Sequence, residues 1–84
     1  MKIEKPGNYT VSDGEDVEVI GTGEGMVINM TGGMVRTLGT SAPVINMTGG
    51  DVRTFGASAP VINQSGGLVW TLGMSAPVIH KINN

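Results

Sequence analysis

Cysteine is absent from the 84 residues, which excludes a disulfide framework and any thiolate metal site. Aromatic residues are scarce: Tyr9, Phe55 and Trp70 stand against 14 glycines. A core of packed helices needs large apolar side chains and few helix breakers, so that class is not expected. No apolar run is long enough to predict a membrane span, and no charged-then-apolar leader opens the chain. Basic residues are also few. Residues 1–24 carry Glu4, Asp13, Glu15, Asp16, Glu18 and Glu24 against Lys2 and Lys5, a local charge of −4. Residues 25–84 carry Asp51 against Arg36, Arg53 and Lys81, a charge of +2. Neither part has the positive density that neutralising many phosphates requires, so neither nucleic acid nor a membrane is an expected partner.

Repetition is what the chain does have. Val27 to Pro43, Val44 to Pro60 and Val61 to Pro77 align without a gap, and a fourth copy begins at Val78 and Ile79. The period is 17 residues, from Val27 to Val44 to Val61 to Val78. Residues 1–26 read as an N-terminal cap with an imperfect first coil, in which Val17-Glu18-Val19-Ile20-Gly21 fits the slot of Val35-Arg36-Thr37-Leu38-Gly39. Residues 27–84 hold three full coils and a partial one, about four and a half in all with the partial ends.

Within each unit, Val-Ile-Asn-Met-Thr and Met-Val-Arg-Thr-Leu are rich in β-branched residues and predict two short strands. Gly32-Gly33 and its copies predict one corner, and Gly-x-Ser-Ala-Pro predicts the other. A constant period then stacks like on like at about 4.8 Å, the separation of neighbouring strands. Val27, Val44, Val61 and Val78 form one column, Ile28, Ile45, Ile62 and Ile79 another, and Asn29, Asn46 and Asn63 an asparagine ladder. This pattern resembles the parallel β-helix, or β-solenoid, class over residues 10–82. The resemblance implies an all-β fold of about four to five coils. A right-handed coil is expected, since left-handed β-helices are built on six-residue units. Three intertwined chains sharing one β-prism remain an alternative.

Variation within a slot predicts inside and outside, because an unpaired charge in a dry core is costly. The slots of Met34/Asp51/Leu68 and of Arg36/Arg53/Trp70 are expected to face solvent, which turns Val35, Val52 and Val69 inward. The slot of Met30/Met47/Gln64/Lys81 is expected to point outward for the same reason. By alternation the Ile28 row would then also point outward, unless the chain bulges at Asn29 or a partner covers that row.

Catalytic groups do not gather. His80, the only histidine, takes the asparagine slot and reads as the end of that ladder, and Ser41, Ser58 and Ser75 are corner residues with no matched base. Gly21-Thr22-Gly23-Glu24-Gly25 lacks the lysine of a phosphate loop. The acids from Asp13 to Glu18 read as a charged cap on an exposed strand edge rather than a calcium loop. No enzyme activity, metal or cofactor is expected. The candidate partner-binding residues are Met30, Met34, Arg36, Met47, Arg53 and Trp70, a row of adaptable thioethers beside guanidinium groups and an indole.

The expected function is a non-catalytic protein-interaction or structural module. It would present that face to a protein partner or to copies of itself, with a homo-oligomer as the expected state. In size and style the chain is similar to small products of phages or mobile elements, which implies a virion component or an anti-CRISPR-like inhibitor of host defence. The expected location is then the cytoplasm or a virion. Two alternatives are an ice-binding solenoid using the Thr37/Thr54/Thr71 and Thr31/Thr48/Ser65 ladders, and a carbohydrate-binding β-helix using Trp70.

Overall fold

The computed structural model describes residues 1–82, and among these described residues there is no helix. Ten strands follow in order: β1 (Lys2–Ile3), β2 (Gly7–Val11), β3 (Asp16–Val19), β4 (Met26–Met30), β5 (Met34–Thr37), β6 (Val44–Met47), β7 (Asp51–Thr54), β8 (Val61–Gln64), β9 (Leu68–Thr71) and β10 (Val78–Lys81). Odd-numbered strands form one five-stranded sheet, β1-β3-β5-β7-β9, and even-numbered strands the other, β2-β4-β6-β8-β10. Every pairing is parallel. The chain is a parallel β-solenoid of five coils, each giving one strand to each sheet.

The repeat dictates the register. Val27 pairs with Val44, Val44 with Val61 and Val61 with Val78, and the isoleucine and asparagine columns follow in step. The asparagines form the expected ladder. Asn46 Nδ2 donates to Asn29 Oδ1 at 3.1 Å, and Asn63 Nδ2 donates to Asn46 Oδ1 at 2.8 Å. The first coil starts earlier than its sequence suggests. Lys2 pairs with Glu18 and Asn8 with Val27, spacings of 16 and 19 rather than 17. The corners absorb the irregularity.

Side chains alternate without a bulge. Ile28, Met30, Ile45, Met47 and Ile62 from the even sheet meet Val17, Val19, Val35 and Val52 from the odd sheet in one dry core. Burying each such side chain stabilises the fold by about 1.5–3 kcal/mol. The outward assignment of the Met30/Met47 slot is therefore corrected: both methionines are 1 % exposed. Gln64 and Lys81, whose polarity suggested an outer slot, lie toward the end of the solenoid where the interior is no longer dry. Gln64 Nε2 reaches the Gly67 carbonyl at 2.9 Å, and Lys81 is exposed. With the Met30 slot inside, the Ile28 row is inside too, and no covering partner is needed to explain it.

Both corners are closed by backbone and side-chain contacts. Gly50 adopts φ +92°, open to glycine but strained for other residues, and sits directly on the preceding Gly32 corner. At the other corner the serine hydroxyls are tied down. Ser41 Oγ donates to the Leu38 carbonyl at 2.8 Å, Ser58 Oγ to that of Phe55 at 2.6 Å and Ser75 Oγ to that of Leu72 at 2.9 Å. These hydroxyls fasten the turn.

Candidate interaction face and the open end

The outer side of the odd sheet carries three rows. The first runs Asp16, Met34, Asp51, Leu68 and the second Glu18, Arg36, Arg53, Trp70. Ile20, Leu38, Phe55 and Leu72 continue the same alternation at the strand ends, with Leu38 N donating to the Val19 carbonyl, Phe55 N to that of Thr37 and Leu72 N to that of Thr54. This third row escaped the sequence reading, although its four apolar residues recur in a fixed slot. Their partial exposure was hidden because a conserved-looking apolar slot suggests core.

The face changes character along the axis. Near its start, Arg36 Nη2 is hydrogen-bonded to Asp16 Oδ2 at 2.5 Å, which holds the Asp16 carboxyl below its ordinary pKa and raises that of Arg36. Both side chains are well solvated, so this ion pair contributes little to stability. One coil later Arg53 Nη2 reaches Asp51 Oδ2 at 3.3 Å. In the last coil the acids disappear: Leu68 is 59 % and Trp70 51 % exposed. Arg53, Trp70 and Leu72 line a shallow depression of about 210 Å³. Of the six residues expected to bind a partner, Met34, Arg36, Arg53 and Trp70 share this face, whereas Met30 and Met47 lie in the core beneath the other sheet.

The other candidate surfaces offer less. The Thr37/Thr54/Thr71 ladder faces inward, with Thr37 and Thr54 fully buried, so it forms no flat ice-facing surface. On the even sheet a groove of about 240 Å³ runs between Asn29, Asn46, Asn63 and the corner residues Thr31, Thr48, Ser65. Its asparagine amides already bond one another, which reduces what they could offer a sugar hydroxyl. The acidic segment is also occupied: Glu15 Oε1 accepts the Ser12 N–H at 2.7 Å, and Asp16 holds Arg36. Among the described residues no three His, Cys, Asp or Glu side chains converge as a metal site would require. His80 stands one rung beyond Asn63 and is exposed.

The two ends of the solenoid differ. At the start, Tyr9 occupies an inward position of β2 and packs on the core, and its hydroxyl donates to the Lys5 carbonyl at 2.7 Å. The adjacent β1 is only two residues long, and Lys2, Glu4, Lys5 and Pro6 surround it. Short length, charge and proline all discourage further strand pairing. At the far side of the described residues the last coil is more exposed. Ile79 belongs to the column of Ile28, Ile45 and Ile62, which are 0 % exposed, yet is itself 37 % exposed, since no coil among the described residues stacks on it. Leu72, Met74, Val78 and Ile82 are exposed around it.

The chain matches no family model, no curated protein and no solved structure.

Proposed function

We propose that the chain is a non-catalytic interaction module that engages a protein partner through the outer side of its odd sheet. The observation that carries this reading is the coincidence of Trp70, Leu68 and Leu72 with Arg53 on one rigid β-surface, flanked by the Asp16–Arg36 ion pair. Strong protein contacts have this composition: an aromatic and arginine centre, bordered by polar groups that stay solvated. Parallel pairing of β9 on β7 holds these side chains in a fixed array, so little conformational freedom is lost on binding. Leu38 and Phe55 extend the apolar strip toward the middle coils.

Affinity capture with the chain as bait tests this reading against two variants. A partner held by the native sequence and by Asn46→Ala on the opposite sheet, but lost by Arg53→Ala/Trp70→Ala, supports it. A partner indifferent to Arg53 and Trp70 overturns the assignment of the face. No partner at all, with a strictly monomeric profile in light scattering, overturns the interaction role itself.

A further inference from the structure

On the outer side of the odd sheet, one row of side chains crosses all five strands. Lys2, Glu18, Arg36, Arg53 and Trp70 hold successive places in it, each paired with the next in a parallel ladder. Neighbours in the row lie about 4.8 Å apart. Ile3 and Val19, the next residues along β1 and β3, are buried in the core, so Lys2 and Glu18 point outward as Arg36, Arg53 and Trp70 do. The chain leaves part of this row without a counter-charge. Arg36 is held by Asp16, and Arg53 reaches Asp51 at 3.3 Å. Among the described residues, Lys2 and Glu18 form no ion pair. From β1 to β9 the row therefore runs cation, anion, cation, cation, indole. Turned end for end about β5, it is complementary to itself.

We propose that the partner of this face is a second copy of the chain, packed face to face about a two-fold axis that runs along β5. The pairing rests on the outer-face reading above and names its partner. The solenoid axes are antiparallel, so β3 of one copy lies over β7 of the other and β1 over β9. Glu18 then faces Arg53, and Lys2 sets its ammonium on the Trp70 indole, each pair occurring twice. Both pairs place the axis on the same strand, because β3 and β7 are equally far from β5, as are β1 and β9. The half-buried apolar residues obey the same symmetry: Ile20 lies against Phe55, and Leu38 and Met34 each lie against their own mates. Like charges also meet, Arg36 facing Arg36 and Asp16 facing Asp51. Each of these already has an opposite charge beside it in its own chain, so whole ion pairs approach one another. A two-fold along the solenoid axis would instead set Glu18 on Glu18 and Arg53 on Arg53, with no opposite charges joined. Charges of this kind fix register more than affinity, which comes from the buried rings of Trp70 and Phe55. A two-fold contact uses the same patch twice and closes, which yields a dimer.

Charge reversal provides the test. Sedimentation velocity at low salt is expected to show twice the chain mass for the native protein. Glu18→Arg and Arg53→Glu each set like charges opposite one another twice per dimer. Each variant alone is expected to dissociate about tenfold or more readily, while its circular dichroism stays that of the native chain. A mixture of the two variants joins opposite charges at both places and is expected to associate as the native chain does, a rescue that a folding defect would not show. Because the chain has no cysteine, orientation can be read directly. Met34→Cys should be bridged to its own copy by a short bis-maleimide, and Asn46→Cys on the opposite sheet should not. A monomeric native protein overturns the self-pairing and leaves the outer-face reading to the capture experiment. A dimer indifferent to both reversals, folded variants that stay apart when mixed, or bridging through Asn46→Cys in place of Met34→Cys would each overturn the pairing as well. If either reversed variant unfolds, the bridging pattern alone decides.

Discussion

Replacing Gly50 by alanine, beside the same change at Gly39, separates two costs that the corners impose. Both glycines have positive φ, +92° and +64°. An alanine at either site suffers the left-handed backbone penalty of about 1–2 kcal/mol. They differ in what surrounds them. A Cβ at Gly39 meets nothing within 4 Å, whereas one at Gly50 falls 2.7 Å from Met30 Cε, 2.8 Å from the Gly32 carbonyl carbon and 2.9 Å from its oxygen. The methionine end can swing aside, but the Gly32 backbone is held in the stacked corner. Overpacking of that kind adds about 1–3 kcal/mol. Gly39→Ala should therefore destabilise by about 1–2 kcal/mol and Gly50→Ala by about 2–5 kcal/mol. Urea unfolding followed by circular dichroism measures both, and a chain this small should give a slope near 1 kcal/mol/M. The Gly50 midpoint is expected to fall about 1–3 M further than that of Gly39. Equal shifts, or a larger one for Gly39→Ala, would refute close stacking of successive corners.

Two further outcomes are expected. Met47→Ala should cost about 2–5 kcal/mol in urea unfolding, as for any buried long side chain, while Val44→Ala in the half-buried outer column costs clearly less; the reverse order would restore the outward reading of the methionine slot. Arg36→Ala should lower stability slightly at neutral pH and low salt. Because Arg36 depresses the folded-state pKa of Asp16, its contribution is present above the ordinary value of 3.8 and is lost as pH falls through the lower folded value. Thermal melts of the two proteins should therefore converge in strong acid and in high salt, and a difference that persists there would sink this explanation.

The register was legible because a constant period leaves one way to stack columns, and Val27, Ile28 and Asn29 meet their repeats as the spacing requires. The same reasoning misjudged the methionine slot, because it treated all coils as equivalent. A solenoid has ends, and a polar residue near one of them reports on the end rather than on the slot. Gln64 and Lys81 were such residues, and Thr37 and Thr54 were the converse, small hydroxyls fully buried between strands. Val17, Glu18 and Val19 pair with Val35, Arg36 and Thr37 as their slot requires, but the pairings of β1 and β2 were illegible, because their spacings of 16 and 19 residues break the 17-residue period. Of the candidate face, Met34, Arg36, Arg53 and Trp70 could be placed by alternation. The Ile20/Leu38/Phe55/Leu72 row could not, since apolar slots do not announce partial exposure.

The asparagine ladder has a direction: every amide hydrogen bond points back toward the first coil, leaving an acceptor at the forward side of each rung. Any additional 17-mer spliced between Pro60 and Val61 would find a carbonyl waiting beneath it and offer one above. Duplication or loss of a unit should thus lengthen or shorten the rod in steps of about 4.8 Å without redesigning its termini. Such a molecule works as a ruler whose graduations evolution can add or remove one at a time.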